Sequence, residues 1–242
     1  MIAMIRSEWI KLRRSVVWVV VALPAILTFA AGWLGGLEEG GGSWQQLLAI
    51  VSVMHGLLFL PLLVTILTAF VCRYEHQSGG WKQLLALPVS RYVVYTAKLT
   101  MVALLLALLQ LLILAALLFI GTWQGYAEAI PWGALLASML GGWAACLPLA
   151  ALQMFAATWL QSFAAPVAIG TFFTLPNILI INSEDFAPYY PWAQPTLAMM
   201  PREQSMSFDA FGIASGTLPI VILVSFVAFY LVGWIYFTRK AV

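Results

Sequence analysis

Long runs of apolar residues, separated by short polar stretches, dominate the pattern along the chain. An α-helix needs about 20 mostly apolar residues to cross a bilayer core of roughly 30 Å. None of these runs contains an acidic residue, and the only lysine or arginine inside them is Lys98. We therefore predict six membrane-spanning helices, at residues 15–36, 44–72, 92–121, 132–160, 163–181 and 211–238.

The composition places the chain among membrane proteins. Of its 242 residues, 63% are hydrophobic and 8% are charged, and the mean hydropathy is +0.98. A soluble domain carries about 25% charged residues, so this chain cannot cover a water-exposed surface of ordinary polarity. Cys72 and Cys146 both lie in apolar runs, which excludes a disulfide scaffold. We expect an all-α polytopic membrane protein with a single transmembrane domain over residues 1–242.

Basic residues fall almost entirely on one side of the predicted membrane. Ten lie on the side of the N-terminus, namely Arg6, Lys11, Arg13, Arg14, Arg73, Lys82, Arg91, Lys98, Arg239 and Lys240. Arg202 alone lies on the other side, together with seven of the nine acidic residues. Loops rich in lysine and arginine remain in the cytoplasm. We therefore predict that both termini are cytoplasmic, since a count changed by one span would destroy this asymmetry.

Residues 1–14 have the periodicity of an amphipathic helix. Ile2, Ile5, Trp9 and Leu12 fall on one helical face, and the basic residues fall largely elsewhere. A basic helix with one apolar face lies in the membrane interface. An ordinary positively charged flank would explain the charges, but it would not explain the apolar face.

The loop between the second and third spans contains a second short amphipathic segment. Trp81, Leu84, Leu85 and Pro88 recur at helical spacing, and proline ends the segment. We predict a cytoplasmic helix over residues 78–87 that docks against a partner subunit. The alternative is a helix that rests on the lipid surface.

Residues 182–210, between the fifth and sixth spans, form a long external segment of unusual composition. It is rich in proline and aromatic residues, namely Pro188, Pro191, Pro195, Pro201, Tyr189, Tyr190 and Trp192. A solvated linker would contain fewer aromatic residues. We expect short interfacial or re-entrant pieces in this segment.

Several kinds of chemistry are absent from the sequence. A P-loop requires the pattern GxxxxGK[ST], and none of the four lysines follows a glycine. Proton-coupled carriers usually keep ionisable side chains in their spans, whereas the middle of these spans contains only His55. His55 and His76 are too far apart along one helix to share a metal ion. The sequence thus predicts neither an enzyme nor a metal or cofactor site in this chain.

Four uncharged polar residues within the spans are candidates for lining a transport pathway, namely His55, Gln110, Gln153 and Asn177. Polar side chains inside a membrane protein can equally satisfy one another at helix contacts. Near the cytoplasmic side, Glu75 is a candidate to pair with Arg91 or Lys98, or it is a solvated carboxylate at the interface. Lys98 lies near the end of a span, from which its ammonium group can reach the interface.

Two stretches resemble a known family. They are RSEWIKLRR at residues 6–14, and RYE at 73–75 followed by GGWKQLLALPVSR at 79–91 with Lys98 seven residues on. Together with six spans, they resemble the permease subunits of type-2 ABC exporters, and in particular the bacterial branch that serves lantibiotic immunity and peptide efflux.

The resemblance implies a function and a set of partners. Residues 1–14 would be the elbow helix, and residues 78–87 would be the coupling helix, with Trp81, Lys82, Leu84 and Leu85 docking on an ATPase. Two ATPase subunits would carry ATP and Mg²⁺, and this chain would bind no cofactor. It would pair with a second permease chain, identical or different, in the bacterial cytoplasmic membrane. The cargo would be an amphiphilic peptide, a lipid or a drug.

Two other functions are compatible with the sequence. The chain is alternatively a membrane sensor or scaffold subunit that transports nothing, or less plausibly a redox subunit with His55 as its one axial ligand within the spans. No basic stripe accompanies the tryptophans, which lie at span ends as in interfacial belts. This pattern excludes a nucleic-acid partner.

Overall fold

The computed structural model describes residues 1–35, 42–77, 79–86, 88–160, 162–200 and 217–240. Within these ranges the chain is helical and contains no β-strand. The α-helices are α1 (Ile2–Leu12), α2 (Val17–Gly35), α3 (Trp44–Met54), α4 (Leu60–His76), α5 (Gly80–Ala86), α6 (Arg91–Trp123), α7 (Trp132–Trp159), α8 (Ala164–Thr174), α9 (Asn177–Ile180), α10 (Gln194–Met199) and α11 (Thr217–Arg239). A π-helical turn, His55–Phe59, joins α3 to α4, and Ala187–Tyr189 form a 3₁₀ turn.

Five helices of the described residues are long and apolar enough to cross a membrane. They are α2, the continuous helix Trp44–His76, α6, α7 and α11. The chain is therefore a multi-pass membrane protein. Two of the spanning helices begin at a serine cap: the side chains of Ser43 and Ser90 accept hydrogen bonds from the backbone N–H groups of Gln46 and Val93.

The predicted span at 163–181 differs from the structure, in which it is not one continuous helix. Its apolar residues form α8 and α9, which are separated by a turn at Leu175 and Pro176. Proline has no N–H group to donate to the preceding helical turn, and this interrupts the hydrogen-bond ladder. The two pieces together cover Ala164–Ile180, which is shorter than the other spans. The count of six crossings thus stays a prediction.

Other predicted boundaries differ from the structure by a few residues. The N-terminal helix is Ile2–Leu12 rather than 1–14, and the loop helix is Gly80–Ala86 rather than 78–87. The second span extends to His76 and the third covers Arg91–Trp123. The ends of these two helices carry polar residues that a hydropathy pattern assigns to loops. Residues 36, 78, 87, 201–210 and 211–216 of the predicted elements lie outside the described residues.

Contacts between helix ends show how the helices are arranged. At one end, Nε2 of His76 donates to the carbonyl of Ala157 (2.7 Å), and Arg91 donates to the carbonyl of Thr238 (2.9 Å). The last turns of α4, α7 and α11 therefore lie beside the first turn of α6. We call this the basic end, because the predicted topology places ten of the eleven lysine and arginine residues on this side.

The opposite end is closed by contacts among α2, α3 and the loop after α6. Nε1 of Trp44 donates to the carbonyl of Glu128 (3.2 Å), and Nε2 of Gln124 donates to the carbonyl of Trp33 (3.3 Å). The Trp44 ring covers Gly121, where an added Cβ would collide with it. A glycine at this position permits the close approach of α3 to α6.

Residues 187–199, which we call the inserted segment, pack into the helices rather than lying outside them. The hydroxyl groups of Ser52 and Ser138 both donate to the carbonyl of Met199, at 3.1 Å and 2.6 Å. A Cβ on Gly56, in the π-helical turn, would lie 2.9 Å from Cα of Thr196. The described part of the predicted external segment is thus partly buried between α3 and α7.

The number of crossings can be tested by cysteine accessibility. In a background with Cys72→Ala and Cys146→Ala, we expect an impermeant maleimide to label Asn182→Cys in intact cells. Ser162→Cys should react only after permeabilisation, because α8 and α9 would carry the chain across the bilayer. Ser43→Cys and Gln83→Cys provide matched references for the two sides. Labelling of both Ser162→Cys and Asn182→Cys from the same side would contradict the sixth crossing.

Candidate functional site

Four charged side chains from three helices meet at the basic end. Glu8 and Lys11 lie on α1, Glu75 lies near the end of α4, and Lys98 lies near the start of α6. Nζ of Lys11 is 2.7 Å from Oε1 of Glu8 and 2.6 Å from Oε1 of Glu75. Nζ of Lys98 is 3.0 Å from Oε2 of Glu8 and 2.8 Å from Oε2 of Glu75. We call these four residues the ion cluster.

The ion cluster is balanced in charge and almost completely buried. Glu8, Glu75 and Lys98 expose 1%, 4% and 1% of their side chains, and Lys11 exposes 26%. Lys98 also donates a hydrogen bond to the carbonyl of Val71 at 2.8 Å. Burial opposes the charge of Lys11, but the carboxylates of Glu8 and Glu75 outweigh this effect and raise the pKa of its ammonium group. Such a site is stable only while each charge keeps its partners.

Sequence reasoning found only half of the ion cluster. It named Glu75 and Lys98 as candidates for pairing, and the structure brings them together. The expectation that Lys98 reaches the interface is wrong, because two carboxylates hold its ammonium group inside the protein. Glu8 and Lys11 were not expected to take part. Helical spacing did indicate that Glu8 is buried, since Glu8 lies four residues from both Met4 and Leu12, the other buried residues of α1.

Arg91 does not join the ion cluster, contrary to the suggested pairing with Glu75. Its guanidinium group donates to the carbonyl groups of Thr238 (2.9 Å) and Lys240 (2.7 Å). These carbonyls belong to the end of α11, where helical carbonyl groups lack partners within the helix. Arg91 therefore caps the last helix and holds it against the start of α6.

The loop helix α5 rests on the ion cluster through Trp81. The indole is buried, and Nζ of Lys98 lies 5.6 Å from its ring centroid. Its ring also packs edge-on against His76 (5.6 Å) and Phe237 (5.3 Å). Nε1 of Trp81 donates to Nδ1 of His76 at 3.2 Å, while Nε2 of His76 donates to Ala157. This arrangement connects α5 to α4, α6, α7 and α11.

The buried position of Trp81 changes which residues are accessible to a partner. We expected Trp81, Leu84 and Leu85 to form an apolar stripe for docking, but Trp81 is covered by its own chain, and the two leucines are partly buried against the core. Burial of the large apolar ring of Trp81 is favourable, and the chain itself provides the surface that covers it. The exposed face of α5 contains Lys82 and Gln83 instead.

The candidate pathway residues are all buried, and two of them are paired. Nε2 of His55 lies 3.2 Å from Oε1 of Gln110, with a hydrogen bond between them. Gln110 also contacts Sδ of Met199, at the end of the inserted segment, at 3.9 Å. The side-chain amide of Asn177 donates to the carbonyls of Leu57 and Trp192, both at 3.0 Å. These contacts place the three candidates around the inserted segment.

Gln153 belongs to a tight contact among α4, α7 and α8. It is buried on α7. A Cβ on Gly170 would collide with Thr65 and would lie 2.7 Å from Nε2 of Gln153. The carbonyl of Gly170 also accepts a hydrogen bond from Trp192. Gln153 thus packs at a helix contact that borders the inserted segment.

We expect Glu8→Gln to destabilise the protein strongly. The change leaves two lysines with a single carboxylate in a buried site, and breaking a buried ion pair costs about 3–5 kcal/mol. The double variant Glu8→Gln with Lys11→Met removes one charge of each sign, so it should lose less stability than Glu8→Gln alone. The measurement is the midpoint of thermal unfolding of the purified protein in detergent.

Glu128→Gln is the matched control, because Glu128 has an exposed side chain. Its midpoint should equal that of the unchanged protein. An equal loss in Glu8→Gln and in the charge-balanced double variant would show that charge pairing is not what stabilises this site.

Comparison with known protein families identifies the family of this chain. A family model described as "ABC-2 family transporter protein" matches residues 4–177. The match covers well over half of the chain and includes most of α1, all of α5 and the four residues of the ion cluster. No curated protein matches the chain. Membrane subunits of this family carry out transport without being catalytic themselves, and they work with an ABC ATPase partner. The chain therefore belongs to the ABC-2 family of transporter proteins and is a permease subunit of a type-2 ABC transporter.

Proposed function

We propose that this chain is the permease of an ATP-driven exporter in the bacterial cytoplasmic membrane. In this proposal it crosses the membrane six times, and its basic end and both termini face the cytoplasm. Its substrate is an amphiphile, which includes antimicrobial peptides of the lantibiotic type, lipids and drugs. The concentration of basic residues at one end supports this orientation.

The contact between α5 and the ion cluster is the observation that carries the proposal. ATP binding and hydrolysis occur on the partner, so a permease needs a route by which partner movement reaches its spans. In the structure, Trp81 of α5 lies against Lys98 of α6 and His76 of α4. Because Lys98 is held by Glu8 and Glu75, a displacement of α5 acts on α1, α4 and α6 together.

The composition of the described spans argues against coupling to protons. Away from the basic end, the described parts of the spanning helices contain no lysine, arginine, aspartate or glutamate. Proton-coupled carriers usually keep such residues in their spans. An apolar interior of this kind suits an amphiphile that enters from the membrane better than an ion.

The partners follow from the same proposal. Two ABC ATPase subunits would bind ATP and Mg²⁺ below the basic end, and the exposed face of α5 with Lys82 and Gln83 would contact one of them. A second permease chain would complete the pathway. Membrane lipid would surround the exposed apolar faces of α2 and α11, whose side chains include Leu23, Ile26 and Leu223.

The proposed exit for the substrate lies at the inserted segment. His55, Gln110 and Asn177 are buried around this segment. They would line a pathway only after the segment moves away from the π-helical turn. Gln153 would remain a packing residue throughout.

We expect Gln110→Leu to reduce transport more than it reduces the yield of folded protein. The change removes the hydrogen-bond partner of His55, which also contacts Met199 of the inserted segment. Gln153→Leu alters a buried amide at the contact between α7 and α8. The measurement is ATP-dependent uptake of a fluorescent amphiphilic dye into inverted vesicles, divided by the amount of folded permease. Equal normalised uptake in the two variants and the unchanged protein would contradict the exit proposal.

We expect Lys82→Glu with Gln83→Ala to release the cognate ABC ATPase on co-purification. Both side chains are exposed on α5, so the spans should insert and fold normally. Trp81→Phe should retain the ATPase, because Trp81 is covered by its own chain. Arg239→Ala is the matched control, since it removes an exposed positive charge at the same end.

Full retention of the ATPase by the α5 double variant would contradict docking through this face. If ATPase activity also fails to respond to any amphiphilic substrate, the sensor or scaffold function would replace the exporter. Loss of the ATPase from the Arg239→Ala control would show that general charge, rather than α5, determines the association.

A further inference from the structure

A pocket of about 490 Å³ opens at the surface where α9 gives way to the following loop. Ligand pockets in proteins typically have volumes of about 300–1,000 Å³. This pocket is lined mainly by apolar and aromatic side chains, namely Leu179, Ile180, Ser183, Phe186, Tyr189 and Tyr190. It lies beyond the region that the family model matches.

One wall of the pocket is held rigidly by the protein. The hydroxyl group of Tyr190 donates to the carbonyl of Phe173. The Tyr190 ring lies 5.3 Å from that of Trp192, which lies 5.2 Å from that of Phe173. Nε1 of Trp192 in turn donates to the carbonyl of Gly170 at 3.2 Å. This wall is therefore preformed and needs no reordering when a ligand binds.

The other side of the pocket is exposed to its surroundings. Leu179, Phe186 and Tyr189 expose 78%, 72% and 69% of their surfaces. Such an apolar surface is favourable to cover, because burial of apolar area drives association. The described part of this chain leaves this surface uncovered.

Two carboxylates adjoin the lining residues in the chain. Glu184 and Asp185 lie between the lining residues Ser183 and Phe186; neither lines the pocket itself, and both side chains are exposed. Among the described residues, no lysine or arginine forms an ion pair with either of them. The faces of the neighbouring Phe186 and Tyr189 rings also favour cations. This turn, which we call the rim of the pocket, thus attracts positive charge, while the interior accepts an apolar group.

We propose that this pocket binds a cationic amphiphile, with its apolar part between the aromatic walls and its charge beside Glu184 and Asp185. The inference rests on the proposed export function and orientation, and it deepens them by naming the charge of the substrate class. An anion of the same shape would be repelled at the rim. A second permease chain is a poorer occupant, because it would have to bury both carboxylates, which have no ion-pair partner in the part of the chain that the structure describes.

Two hydrophobic ions of nearly equal size and opposite charge test the proposal directly. The full-length permease is placed in nanodiscs of zwitterionic lipid, and equilibrium binding of tetraphenylphosphonium and tetraphenylborate is measured, with binding to empty nanodiscs subtracted. We expect the phosphonium ion to bind more tightly than the borate. Glu184→Gln with Asp185→Asn should weaken phosphonium binding by about threefold to tenfold and should not weaken borate binding.

Two matched controls separate the pocket from general effects of charge and apolar surface. Glu128→Gln removes another exposed carboxylate and should leave phosphonium binding unchanged. Phe186→Ala should weaken binding of both ions, whereas Phe172→Ala should not, although Phe172 is also largely exposed, at 67%.

Equal affinity for the two ions, or unchanged phosphonium binding in the double amide variant, would overturn the proposal. So would an absence of binding together with efficient disulfide cross-linking of Tyr189→Cys between two permease chains, since a second copy would then occupy the pocket. The assay uses neither ATP nor the ATPase. Failure of the ions to bind would therefore not contradict the export proposal. Failure of the ATPase to co-purify would likewise not contradict the binding result.

Discussion

The burial of four charges at one end of the helices is the constraint on which the rest of the structure depends. Moving an ionised group out of water costs several kcal/mol unless partners replace the water. Here each lysine contacts both carboxylates, and each carboxylate contacts both lysines. Because Glu8 comes from α1, Glu75 from α4 and Lys98 from α6, the requirement for mutual pairing fixes these three helices relative to one another. The basic end is therefore assembled by charge as well as by apolar contact.

Trp81 connects the loop helix α5 to the ion cluster and to the last helix. Its ring contacts Lys98 of the ion cluster and Phe237 at the end of α11. Arg91 joins the same two helices through the terminal carbonyls of α11. The loop helix thus rests on the place where the first and last helices meet the core. In a permease that works with an ABC ATPase partner, a displacement of α5 would act on α1, α4, α6 and α11 through these contacts.

The sequence predicted the helices better than it predicted their contacts. Hydropathy locates a span because its length is set by the bilayer, and five spans appear where expected. It could not indicate that Glu8 meets Lys98, since the two are ninety positions apart and charges near span ends usually face water. Nor could helical spacing show whether Trp81 packs on its own chain or on a partner. The prolines and aromatic residues of the inserted segment indicated that it is not an ordinary solvated loop. Its hydrogen bonds with Ser52 and Ser138, however, depend on tertiary packing.

The ion cluster and the inserted segment are held by interactions of different kinds, and this difference favours movement of the inserted segment. At the basic end, separating the ion cluster would leave charges unpaired in a buried site, at about 3–5 kcal/mol for a broken pair. The inserted segment is held by several neutral hydrogen bonds, which involve Tyr190, Trp192 and Met199, and by apolar packing. Each neutral hydrogen bond contributes about 0.5–1.5 kcal/mol. These bonds can be lost one at a time, because breaking any of them leaves no ionised group without a partner. The π-helical turn lies against the inserted segment, on the continuous helix that also carries Glu75 of the ion cluster. This distribution of interactions favours movement of the inserted segment over separation of the ion cluster.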